Sequence, residues 1–148
     1  MTHIASISSL AAVVMLSAGV VAQEAPKDAA AKALASVQGV WTVVTIGGQS
    51  LADGGMDMSL TFTSDKYAQT MNGVVNERGT IKIDPGKKPM TMDLHIQEGD
   101  DAGKLQLAVF AVDAGTMTLH LNQPGATDRP ADLAAREGYF LVVLKKVK

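Results

Sequence analysis

From Val40 onward, apolar and polar residues alternate with a period of two. Met58, Leu60 and Phe62 alternate with Ser59, Thr61 and Thr63, the pattern of a strand with one face in a core and one in water. Met90, Met92, Leu94 and Ile96 alternate in the same way with Thr91, Asp93, His95 and Gln97. The pattern predicts strands over residues 40–46, 58–63, 66–71, 74–83, 90–97, 104–112, 116–121 and 139–146. Turn-forming residues separate them: Gly47-Gly48, Ser64-Asp65, Asn72-Gly73, the Pro- and Lys-rich loop from Asp84 to Pro89, Gly99 to Gly103, and Asp113-Ala114-Gly115. Asn72-Gly73 is the strongest of these signals, because a type I′ hairpin turn needs positive φ at both central positions. Strands joined mostly by hairpin-length links form a meander, and closing the meander removes its exposed edges. The predicted fold class is all-β: an antiparallel up-and-down β-barrel of about eight strands. Such a barrel fills its interior with side chains or holds one small ligand.

The N-terminal segment departs from this pattern. Ile4 to Val21 is an apolar run with scattered Ser and Gly, and Val20-Val21-Ala22 supplies small residues before a cut. Residues 1–22 are therefore expected to be a signal peptide, cleaved near Ala22. The rival reading is a retained anchor, since the run is at the edge of spanning length. Residues 23–36 read as an Ala- and Lys-rich linker with a short helix over Asp28 to Val37, stopped by Gly39. Residues 37–148 form the barrel domain. The expected location is extracytoplasmic, periplasmic or secreted, with no stable membrane insertion after cleavage.

Composition narrows the function classes. The chain carries 13 Lys and Arg against 15 Asp and Glu, a net charge of −2, which argues against nucleic acid as a partner. No basic cluster in the sequence marks a membrane-surface patch. There is no Cys, hence no disulfide, thiol nucleophile or lipobox attachment. No Ser lies in a Gly-x-Ser-x-Gly elbow. Asp93 and His95 share a strand face, but His120 belongs two strands away, so these residues read as solvent-facing polar groups and not as metal ligands. No cofactor is expected, and an enzyme is not.

Two features bear on the barrel interior. Met58 and Met92 alternate with polar residues and point inward with Phe62, giving an adaptable apolar pocket or a Met-filled core. Ile81 and Ile83 face inward, and counting back by twos places Gly79, Glu77 and Val75 beside them. A bulge at Gly79 would instead turn Arg78, Asn76 and Val74 inward. Either register aims one charge, Glu77 or Arg78, at the interior or its rim, where it needs a partner or water. The long stretch from Asn122 to Gly138 reads as a crossover strap over one barrel end, with a helical turn over Pro130 to Glu137; the rival reading is a binding lid.

Several stretches together carry a family resemblance. They are Gly39-Val40-Trp41, Asp65-Lys66-Tyr67, the run from Glu77-Arg78-Gly79-Thr80 to Lys87-Lys88-Pro89, Met92-Asp93-Leu94, Pro124-Gly125, and Leu141-Val142-Val143-Leu144-Lys145-Lys146. The chain resembles the lipocalin-like domain of unknown function abundant in planctomycetes and some other environmental bacteria. His120 stands where many members carry Cys, and Ala131 to Glu137 is Ala-rich where members are extended and Ser-rich. The resemblance implies an exported barrel with no known activity. It also implies that Trp41, sharing a face with Val43 and Thr45, sits at the closed end under a basic side chain, Lys145 or Lys146. The expected function is a binding module for a small apolar or amphipathic ligand; the alternative is a structural or protein-interaction domain of the envelope with a filled core.

Overall fold

The computed structural model describes residues 26–148. The expected signal peptide lies outside these residues. The elements are α1 (Pro26–Val37), β1 (Gly39–Ile46), β2 (Gln49–Ser50), a short 3₁₀ turn (Ala52–Gly54), β3 (Met58–Thr63), β4 (Lys66–Met71), β5 (Val74–Asp84), β6 (Met90–Glu98), β7 (Leu105–Asp113), β8 (Thr116–Leu121) and β9 (Phe140–Lys146). From β3 to β9 each strand pairs antiparallel with the next; β1 pairs with both β3 and β9 and closes an eight-stranded barrel. The two-residue β2 is an addition on β1, absent from the sequence expectation. The Asn72-Gly73 turn has φ of 50° and 82°, both in the left-handed region a type I′ turn requires.

The barrel has two unlike ends. At one, α1 lies across the opening. Its last turn sends Val37 into the core, and Leu34 packs beside it. The Trp41 indole N–H donates to the Val37 carbonyl at 2.7 Å, satisfying one of the carbonyls a helix C-terminus leaves free. Gln38 ties the helix end to the β3–β4 turn: its Nε2 donates to the Ser64 carbonyl at 2.9 Å and its Oε1 accepts from the Ser64 N–H at 2.7 Å. Trp41, Phe62, Met92, Phe110 and Met117 fill this closed end, and Trp41 is 0% exposed. Lys146, opposite Trp41 in the register, places its Nζ 5.7 Å from the indole centroid, while Lys145 pairs with Thr42 and Thr116 on the other face.

Closure of the barrel introduces three irregularities that simple alternation does not foresee. On β1, Val43 and Thr45 oppose consecutive residues of β9, so Val44 is extra. Thr45 therefore turns outward and Ile46 inward, and Thr45 does not share the face of Trp41 and Val43. On β5, Glu77 and Val75 oppose Gln69 and Thr70, so Asn76 is extra. On β6, Glu98 and Ile96 oppose Arg78 and Gly79, so Gln97 is extra. Of the two registers open in the sequence, the structure takes the one with Glu77 inward, with the extra residues at Asn76 and Gln97 and not at Gly79. Bulges of this kind sharpen twist and let a sheet bend into a barrel.

The segment between β8 and β9 lies along the outer wall of the barrel instead of across an end, and it forms bends with no helical turn over Pro130 to Glu137. Arg129 anchors it by ion-pairing with Asp93 and donating to the Ala108 carbonyl at 2.8 Å. Asn122 donates to the Asp128 carbonyl at 2.8 Å, and the Tyr139 hydroxyl donates to the Asp128 carboxylate. The Tyr139–Asp128 hydrogen bond holds the pKa of the Asp128 carboxyl below its usual value and pushes that of the Tyr139 phenol up. His120, expected to face solvent, is 1% exposed beneath this strap: Nδ1 contacts the Asp132 carbonyl at 2.6 Å and the ring packs against Tyr139.

Candidate functional site

At the end opposite α1 the barrel interior is not filled. A cavity of about 240 Å³ remains. Its inner wall is aliphatic: Val43, Leu60, Leu94, Leu119 and Val142. Toward the mouth stand Ile46, Met58, Leu121 and Phe140, together with Gln69, Glu77 and Gln106. Phe140 is 42% exposed at this rim. The strands place these residues for a simple reason. Leu60 opposes Gln69, Gln69 opposes Glu77, and cross-strand partners in an antiparallel ladder share a face. The extra residue at Asn76 separates the inward run Glu77, Gly79, Ile81 from the hairpin tip.

Glu77 and Tyr67 form the polar centre of the site. The Tyr67 hydroxyl donates to Glu77 Oε1 at 2.8 Å. Tyr67 reaches this position because its partner across the ladder is Gly79. A Cβ at Gly79 would lie 2.8 Å from the Tyr67 ring and 2.1 Å from the His95 carbonyl oxygen, so only glycine admits the ring there. Tyr67 is 3% exposed. Burial, the hydrogen bond to Glu77 and the adjacent carboxylate together push its ionisation far above the usual phenol range, so it remains a neutral donor. Gln106 Nε2 donates to the Asn122 carbonyl at 2.8 Å, linking the cavity wall to the start of the strap.

Of the residues singled out from sequence, Met58 and Glu77 line the cavity. Phe62 and Met92 do not; both are packed into the closed end. Arg78 points outward and meets Glu98 at 3.3 Å on the exposed surface. Sequence reasoning missed Tyr67, Gln69 and Gln106. Their signal was weak, since both faces of β4 carry polar residues: Tyr67 and Gln69 on one, Lys66 and Thr70 on the other.

The site has hydrogen-bonding groups set in an apolar wall, suited to orienting a small molecule. Among the described residues there is no group of three or more His, Asp or Glu able to hold a metal ion. Set against models of known protein families, curated proteins and solved structures, the chain gives no match.

Proposed function

We propose that this protein is an exported, lipocalin-like barrel that binds a small apolar or amphipathic ligand in the open end of the barrel. The observation that carries the reading is the cavity of about 240 Å³, aliphatic at its base and bearing the Tyr67–Glu77 pair near its mouth. A void of this kind leaves its lining without contact partners, so an occupant gains both dispersion contacts and apolar burial. An engineered cavity of ~150 Å³ lined by aliphatic groups takes up benzene. Scaling from that, this cavity suits a ligand of about ten non-hydrogen atoms.

The alternative, an envelope domain acting through its surface, draws on the exposed apolar side chains at the same end: Met56, Val74 and Phe140. Native mass spectrometry of the protein purified from its own host separates the two readings. The binding reading expects a small-molecule adduct that is lost on denaturation and is missing from Val142→Phe, which fills the cavity. An adduct-free protein whose cavity takes up no small apolar probe would overturn it.

A further inference from the structure

Resting on the reading of the cavity as a binding site, we infer that it selects a ligand with a cationic head group: a primary or secondary ammonium on a short apolar body. Among the described residues, Glu77 is the single carboxyl group lining the cavity, and no Lys, Arg or His lines it. Among the described residues, none of the ion pairs involves Glu77. Among the described residues, its one side-chain hydrogen bond comes from the neutral Tyr67 hydroxyl to Oε1, and none reaches Oε2.

That free oxygen decides which ligand fits. A ligand that fills the cavity excludes water from the carboxylate, which must then be satisfied by the ligand or remain unpaired, at a cost. A purely apolar ligand leaves it unpaired. A carboxylate ligand adds like-charge repulsion. An ammonium pairs with it through a charge-assisted hydrogen bond, roughly twice as strong as a neutral one. The Tyr67 hydroxyl holds the carboxylate in place for that contact.

A second, independent feature points the same way. Strand directions put the loops after β1, β5 and β6 at known ends, and charge is distributed unevenly between the ends. Asp53, Asp57, Glu98, Asp100 and Asp101 gather around the cavity end, where Arg78 pairs with Glu98 at 3.3 Å and Lys104 with Asp101 at 2.7 Å. Lys66, Lys87, Lys88, Lys145, Lys146 and Lys148 gather at the closed end, where they outnumber Asp65, Asp84 and Asp113. A field of this polarity raises the local concentration of cations at the mouth and lowers that of anions.

The test uses three probes of nearly equal size: octylammonium, 1-octanol and octanoate, titrated calorimetrically into the wild-type protein and into Glu77→Gln. Octylammonium should bind the wild type at least tenfold more tightly than 1-octanol, with octanoate weakest. Glu77→Gln should reduce the ammonium preference to less than about threefold. Should Glu77→Gln fail to fold, the wild type alone decides: raising salt should weaken octylammonium and leave 1-octanol unchanged. Equal binding of octylammonium and 1-octanol, or a preference that survives both Glu77→Gln and high salt, overturns the charge selectivity while the cavity reading stands. Failure of all three probes to bind overturns both.

Discussion

The two ends of the barrel use the same strands differently. At the closed end the inward positions are large and apolar, α1 covers them, and Trp41, Phe110 and Met117 are fully buried in one core cluster. At the open end the inward positions of those strands become Gln69, Glu77 and Gln106, and a cavity replaces the packing. The hydrogen-bonded ladder is continuous through both. The difference shows how a small barrel can divide its tasks: one end supplies most of the stabilising burial, and the other can then hold a void and a half-buried carboxylate without loss of the fold.

The strongest way to break this division is at the indole. Trp41→Ala should destabilise the protein by about 3–5 kcal/mol, because it opens a cavity in the packed end and removes the donor to Val37. Denaturant unfolding followed by circular dichroism measures it. A midpoint close to that of the wild type would mean that the closed end does not carry the stability.

A matched pair sharpens the comparison. Met92→Ala at the closed end should cost about 2–5 kcal/mol, whereas Met58→Ala at the cavity should cost about 1 kcal/mol, since Met58 already borders empty space. Equal losses would erase the distinction between the ends. Gly79→Ala should cost about 1–3 kcal/mol by overpacking and should also dislodge the Tyr67 ring. Its effect on the site is read from near-ultraviolet circular dichroism of the tyrosine.

The smallest effect expected is that of Tyr67→Phe, about 1 kcal/mol at neutral pH for one hydrogen bond. Its signature is the pH dependence. In the unfolded chain the phenol ionises near ~10, while in the fold burial and Glu77 hold it protonated well above that. Above pH ~10 the unfolded state therefore binds fewer protons, so the stability due to Tyr67 is full below that pH and falls as pH rises further. Tyr67→Phe should flatten most of this alkaline loss, leaving the part due to Tyr139. An alkaline limb identical to that of the wild type would show that Tyr67 is not held as described.

The strands and most of the turns were legible in the sequence because an inward face of Met58, Leu60 and Phe62 or of Met92, Leu94 and Ile96 enforces a period of two. The extra residues at Val44, Asn76 and Gln97 were not, because they answer to barrel closure and not to local preference. That is why alternation puts Thr45 on the wrong face and leaves the choice between Glu77 and Arg78 open. Of the site, Met58 could be read from alternation, and Glu77 only as one of two registers. Tyr67 could not, because its position depends on the empty space that Gly79 leaves on the neighbouring strand. The strap was illegible for a further reason: its hold on the wall rests on isolated side chains, Arg129, Asn122 and His120, which leave no periodic trace.

The methionines give the most direct test of the division between the ends, because Met58 borders the cavity while Met92 and Met117 lie in the closed end. Methyl-labelled methionine followed by nuclear magnetic resonance during a titration with 1-octanol reads both ends in one experiment. A saturable shift of the Met58 methyl, with Met92 and Met117 unmoved, is the predicted result. Shifts confined to Met92 and Met117, or an unmoved Met58 at saturating 1-octanol, would contradict it.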